Sequence, residues 1–281
     1  MSVKRALREL KGFVFDLDGC VWTGEVLVPG AAEVLAFLRR QGRGVCFLTN
    51  NSRARGRTMQ AKLERLGVEA AVGEVLTPLE ILGEVVASRW GRARALAIGG
   101  EELTEALAAG GHEMVPPERY RDATVVVVGN DFDLSYARLT AAARAVAGGA
   151  AFVTPNLDPR LPVEGDDFLP GCGAIVEAVA VAAGVRPFVV GKPEPPLFER
   201  ALRQMGLAAE DAAMVGDSVD SDIRGARRIG MSTVLFAPRG GPDGVAHYMV
   251  RTMGQLRRLL GDRPARPRPR GTEAGGATDG R

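Results

Sequence analysis

An α/β fold is predicted, with a Rossmann-like parallel-sheet core carrying an inserted α/β cap domain, and three features of the sequence carry that expectation. Short apolar runs alternate with segments of helical spacing, the joins between them are short, and polar residues follow the apolar runs at once. At 281 residues the chain is long enough for two domains of ordinary size.

The elements follow in order. Phe13-Val14-Phe15 reads as a buried strand that meets a tight loop at Asp16-Leu17-Asp18-Gly19. The spacing of Val34, Leu35 and Leu38 predicts a helix over 31–40, and Val45 to Leu48 a second strand that stops at Thr49-Asn50-Asn51-Ser52. Asn51 or Ser52 is placed to cap a helix over 53–66, which Gly67 ends. A second series has strands over 95–98, 124–128 and 151–154 and helices over 103–109, 136–147 and 174–183. Thr77-Pro78 and Arg186-Pro187 mark the crossings into and out of this unit, because a proline discourages helix at the residue before it. A third series has a helix over 197–205, a strand over 213–215 running into Gly216-Asp217, a helix over 223–229 and a strand over 233–236. The expected division is a core of 1–77 and 187–261, a cap of 78–186, and a tail of 262–281. The tail, rich in Pro, Arg and Gly, has no apolar residue larger than Ala or Pro and is expected to be disordered.

Hydrophobic residues make up 46% of the chain and charged residues 25%, the balance of a globular protein with a real core. A net charge of only +2 argues against nucleic acid as the main partner, since phosphate-backbone binding needs a concentrated positive surface. No apolar run approaches the roughly 20 residues that cross a bilayer. The charged, mixed first eleven residues do not read as a secretory signal. A soluble, cytoplasmic protein is expected, with Cys20, Cys46 and Cys172 as free thiols.

Three strand ends present polar groups: Asp16 and Asp18, then Thr49 and Asn50, then Asp217 and Asp222. In a parallel sheet the loops at the carboxyl ends of the strands share one rim, where ligands bind. Carboxylates gathered on a rim repel one another unless a cation sits among them, and hard oxygen donors in that number suit Mg²⁺ beside phosphate. Exposed N–H groups in Gly-rich loops suit an anion. Lys192, between Gly191 and Pro193, reads as a placed lysine.

The segments Asp16-Leu17-Asp18-Gly19, Thr49-Asn50-Asn51-Ser52, Gly191-Lys192-Pro193 and Gly216-Asp217-Ser218-Val219-Asp220-Ser221-Asp222-Ile223 resemble, in order, the four motifs of the haloacid dehalogenase superfamily. Two further stretches, Trp22-Thr23-Gly24-Glu25 through Pro29-Gly30-Ala31 and Thr154-Pro155-Asn156-Leu157-Asp158, are similar to its capped branch of 4-nitrophenyl, phosphoglycolate, pyridoxal and sugar-phosphate phosphatases. The resemblance implies that Asp16 is a nucleophile forming an aspartyl-phosphate, and that Asp18 is the acid to the leaving oxygen and then the base to water. It implies that Thr49, Asn50, Asn51 and Lys192 hold the phosphoryl oxygens. Asp16, Asp18 (through its carbonyl) and Asp217 would bind Mg²⁺, with Asp222 steadying Lys192 or a water on the metal. Asn156, Asp158 and Arg160 are the implied specificity residues. A carboxylate at position 18 favours hydrolysis, hence a phosphatase. The 142 residues between Thr49 and Lys192 place the cap between the second and third motifs.

The implied substrate is a small phosphorylated metabolite such as phosphoglycolate, glycerol phosphate, a sugar phosphate or 4-nitrophenyl phosphate. Association of two copies through their caps, a homodimer, is a tendency of the family that nothing in this sequence establishes. Two other readings stay open: a phosphotransferase or mutase with the same nucleophile, and a non-catalytic metabolite-binding protein. Gly99-Gly100 lacks the spacing of a dinucleotide loop, and His112 and His247 lack metal-ligand spacing. Cys20 is read as a packing residue rather than a redox group.

Overall fold

The computed structural model describes residues 5–162 and 167–261. The expected disordered tail lies outside them. Two parallel sheets carry the fold. The first runs, edge to edge, Tyr248–Val250, Ser232–Phe236, Ala212–Gly216, Gly12–Asp16, Gly44–Leu48 and Val75–Leu76. Its middle strand, the first in the chain, has the next strand on one side and a strand from 200 residues later on the other. The order therefore reverses beside Asp16, the place where open α/β sheets bind ligands.

Both faces of this sheet are covered, so its strands are apolar at successive residues rather than at alternate ones. Phe13, Phe15, Val45, Phe47, Ala213 and Val215 enter one core cluster with the helices Ala31–Arg40 and Met253–Leu259. Val14, Cys46, Leu48, Ala212 and Met214 enter another with the helix Pro195–Met205. That second cluster continues into the other sheet, through Ala95, Val125, Val127 and Val153.

The second sheet has the order Phe188–Val189, Ala151–Thr154, Val125–Val128, Arg94–Ile98 and Glu113–Met114, again parallel throughout. The helices Tyr136–Ala147 and Cys172–Ala183 cover its outer face. Phe188–Val189, expected in the returning core segment, instead pairs with Val153 and Thr154. The chain thus leaves this sheet at Val190 rather than at Pro187. The other crossing opens a helix over Pro78–Trp90, which packs on both Glu101–Ala109 and Pro195–Met205 and bridges the two units. The two crossings meet at Gly191, where a Cβ would lie 2.5 Å from the Pro155 carbonyl, 2.6 Å from Asn50 Oδ1 and 3.2 Å from Pro78.

The helix expected from Arg53 begins at Gly56. Asn51 Oδ1 accepts from the N–H groups of Arg53 and Ala54 at 2.9 and 3.2 Å, an Asx turn that occupies the would-be first turn. His112 is buried between helix and strand; Nδ1 accepts from the Ala93 N–H and Nε2 lies 3.0 Å from the Gly83 carbonyl, which places its proton on Nε2. The three cysteines are buried and unpaired, and burial pushes the Cys20 thiol well above its ordinary range, consistent with packing rather than redox chemistry. No helix among the described residues is long and apolar enough to cross a membrane.

Candidate active site

Asp16 ends the middle strand and is 7% exposed. Beyond it the chain winds tightly: the N–H groups of Cys20, Val21 and Trp22 all reach the Leu17 carbonyl, at 3.3, 2.8 and 3.0 Å. Gly19 adopts φ +82°, and a Cβ there would sit 2.2 Å from Asp217 Oδ2. The glycine is what allows the loops after the first and last motifs to touch. Asp18 projects to solvent, and its Oδ1 accepts from the Trp22 indole N–H at 2.7 Å.

The adjacent strand ends at Leu48, and the hydroxyl of the next residue, Thr49, accepts from the Asn51 N–H at 3.1 Å. The Asn50 side chain clasps Lys192 by its backbone: Oδ1 accepts from the Lys192 N–H at 2.8 Å, and Nδ2 donates to its carbonyl at 2.9 Å. The Asn50 N–H has no protein acceptor among the described residues, so it is free for an anion. Asn51, expected to hold phosphate, uses its side chain to form the Asx turn.

Lys192 is 4% exposed, and its Nζ donates to Asp16 Oδ1 at 2.5 Å and to Asp222 Oδ1 at 2.7 Å. Burial alone disfavours its cation; the two carboxylates outweigh that and hold the ammonium above its ordinary range. Asp222, fully buried, also accepts from the Ser218 N–H at 3.1 Å through Oδ2. Gly216 makes room for it: a Cβ there would lie 2.2 Å from Asp222 Oδ2.

Carboxylate oxygens of Asp16, Asp217 and Asp222 lie within 4.8 Å of one another. One ammonium faces three carboxyls, and the excess negative charge shows in the acidity of Asp16 and Asp217. Burial pushes the Asp16 carboxyl well above the usual range against the pull of Lys192, and Asp222 and Asp217 push it further. Enclosure and then the Asp222 charge raise Asp217 also, although its edge is open to solvent. A set of hard oxygen donors with uncompensated charge fits Mg²⁺. The Asp18 side chain is outside this cluster.

The three specificity candidates are placed differently. Asn156 is 3% exposed and braces the loop after Leu48, donating to the Asn50 carbonyl at 2.6 Å and to Ser52 Oγ at 3.1 Å. Asp158 Oδ1 reaches Asn50 Nδ2 at 3.5 Å. Arg160 stacks over Phe168, 4.2 Å from its ring centroid, where the strands Arg160–Pro162 and Phe168–Pro170 pair antiparallel. Sequence reasoning named no role for Trp22, Gly216 or Ser218. It also missed the contact of Arg53 with Phe132, 4.8 Å from guanidinium to ring centroid, which joins the loop after Thr49 to the second sheet's rim.

Known proteins share this fold. A family model described as haloacid dehalogenase-like hydrolase matches residues 13–113, and a HAD-hydrolase-like model matches 189–238. An acid sugar phosphatase of Staphylococcus saprophyticus is 35% identical over 228 residues, covering 81% of this chain and 86% of that one. The crystal structure of a 4-nitrophenylphosphatase from Thermotoga maritima superposes with a TM-score of 0.81 at 26% identity, over 90% of this chain and 98% of that one. A glycerol phosphate phosphatase of Mycobacterium tuberculosis, in complex with magnesium, superposes at 0.78 with 30% identity, over 90% of this chain and 78% of that one. The chain belongs to the haloacid dehalogenase-like hydrolases and is a phosphoric monoester hydrolase.

Proposed function

We propose that the protein is a Mg²⁺-dependent phosphatase of small phosphate monoesters that works through an aspartyl-phosphate on Asp16. The observation that carries the proposal is the buried Lys192 ammonium bound to Asp16 and Asp222, with Asp217 beside them. Asp16, Asp217 and the Asp18 carbonyl would hold the ion, which when bound neutralises charge on the phosphoryl group and on the nucleophile. Asp16 attacks phosphorus, the bond to the leaving oxygen breaks, and Asp18 gives that oxygen its proton. Asp18 then takes a proton from water as the water attacks the aspartyl-phosphate, releasing phosphate and restoring Asp16. Lys192, the Thr49 hydroxyl and the Asn50 N–H would donate to the phosphoryl oxygens. Phosphoryl transfer leaves little covalent work to the protein, so positioned donors and charges of this kind are what the reaction needs.

Sugar phosphates and glycerol phosphate, the substrates in the names of two relatives, head the substrate class, with phosphoglycolate and 4-nitrophenyl phosphate beside them. The test is phosphate release from a panel of such monoesters with Mg²⁺, with EDTA, and with Asp16→Asn. Release should require both the metal and Asp16; hydrolysis retained by Asp16→Asn overturns the mechanism.

A further inference from the structure

Trp22 is a large polar-tipped side chain in an unusual place. It is 1% exposed, it opens the small hairpin of Trp22–Thr23 and Val26–Leu27, and its single polar atom points at Asp18. Among the described residues, the indole is the only hydrogen-bonding partner of the Asp18 carboxyl. The ring is itself held from the other side. Lys62 Nζ lies 4.6 Å from its centroid, donates to the Gly24 carbonyl at 2.8 Å, and pairs with Glu25 at 3.0 Å. One lysine from the helix Gly56–Arg65 therefore fixes both the ring and the turn of the hairpin.

An indole N–H can only donate. Bound to Oδ1 at 2.7 Å, it requires that oxygen to act as acceptor. The carbonyl oxygen of a carboxylic acid is its better acceptor, so when Asp18 carries a proton this contact favours the proton on Oδ2, the oxygen without a protein partner among the described residues. A solvent-exposed carboxyl would otherwise rotate and place its proton on either oxygen. We propose that Trp22 is a positioning residue for the leaving-group step: it pins Oδ1 of Asp18 and so presents a protonated Oδ2 to the departing oxygen. This rests on the acid role proposed for Asp18. In the step, the phosphorus–oxygen bond to the leaving group breaks as Asp16 bonds to phosphorus, and the Oδ2 proton passes to the leaving oxygen.

The need for that proton depends on the leaving group. An alkoxide from glycerol phosphate requires it, whereas 4-nitrophenolate departs as a stable anion. The ratio of kcat/KM for these two substrates therefore reads Asp18 positioning, and kcat/KM excludes the later hydrolysis step that both share. Two variants remove the donor. Trp22→Phe is the simple one; replacement of Trp22 by 3-benzothienylalanine puts sulfur where the N–H was and keeps the buried volume. Complete loss of general acid catalysis is about 10²–10⁴-fold, so mispositioning should lower kcat/KM for glycerol phosphate by about 10–100-fold and for 4-nitrophenyl phosphate by no more than about threefold.

Asp18→Asn is the reference and should show the same skew, larger. Equal losses on both substrates in the Trp22 variants, or no loss, with the skew present in Asp18→Asn, would overturn the role of Trp22 and leave that of Asp18 standing. Equal losses in Asp18→Asn would instead remove the acid role, and the proposal with it.

Discussion

Asp222 is fully buried against the Lys192 ammonium and the Ser218 N–H, and Asp222→Asn tests how these partners are arranged. At 2.7 Å from Lys192 Nζ, the attraction is roughly 6 kcal/mol at an effective dielectric of about 20, and the lower desolvation cost of a neutral amide offsets part of its loss. The amide has a second fault. Asp222 accepts through both oxygens, from Lys192 and from the Ser218 N–H, so an asparagine in either orientation turns its NH₂ toward a donor. With Mg²⁺ bound, the expected net loss is about 3–5 kcal/mol, the range for breaking a buried ion pair. At about 2–4 °C per kcal/mol for a chain of this order of size, the melting temperature should fall by roughly 6–20 °C. Thermal unfolding followed by circular dichroism, in low and high salt, measures it. The loss should survive high salt, because a buried pair is little screened. In EDTA it should be smaller, since the substitution then also relieves repulsion on Asp16 and Asp217. A fall of less than about 2 °C with Mg²⁺ present, or one that vanishes in high salt, would refute the reasoning.

Other consequences are open to direct measurement. The Asp16 and Asp217 carboxyls are raised, so without metal their contribution to stability is fully present below the ordinary carboxylate pKa of about 4 and is lost as pH rises through the folded values. Cation binding needs the ionised forms, so the gain in melting temperature from EDTA to saturating Mg²⁺ should be larger at about pH 7.5 than at about pH 5; an equal gain at both would refute the assignment. Gly19→Ala places a Cβ at φ +82° and 2.2 Å from Asp217 Oδ2. It should raise the Mg²⁺ concentration for half-maximal activity by about 10–100-fold, the range seen when the supports of a metal ligand are changed. A metal titration of initial rates would show it.

The parts of this site that the sequence made legible are those where one strand supplies one signal. An apolar run that stops abruptly at a polar residue marks the end of a strand buried on both faces, and Asp16, Thr49 and Asp217 all sit at such stops. The helix Pro78–Trp90 carried no such mark. It is packed on more than one side, with Leu79, Ile81, Leu82, Gly83 and Val86 all buried, and so lacks the single apolar stripe by which helices are recognised. Asn156 is a different case. Its amide serves a carbonyl 106 residues earlier, and no local pattern distinguishes an asparagine that reaches for substrate from one that braces a loop. Trp22 sits within a stretch that sequence resemblance singles out, but the aim of its N–H becomes visible only once the turn after Asp16 is built.

Gly191 gives the fold a mechanical property. The chain's return from the second sheet, the Pro78 crossing, the Pro155 carbonyl and the Asn50 side chain all come together around it, at distances that leave no room for a Cβ. Lys192 is the next residue, and its ammonium ends between Asp16 and Asp222. A rotation of the inserted unit about that point has a short lever arm at Lys192 and a long one at the helices Tyr136–Ala147 and Cys172–Ala183 on its far face. The same angle that sweeps the outer helices widely would displace the lysine backbone very little. Such a rotation would leave Lys192 in register with Asp16 and Asp222.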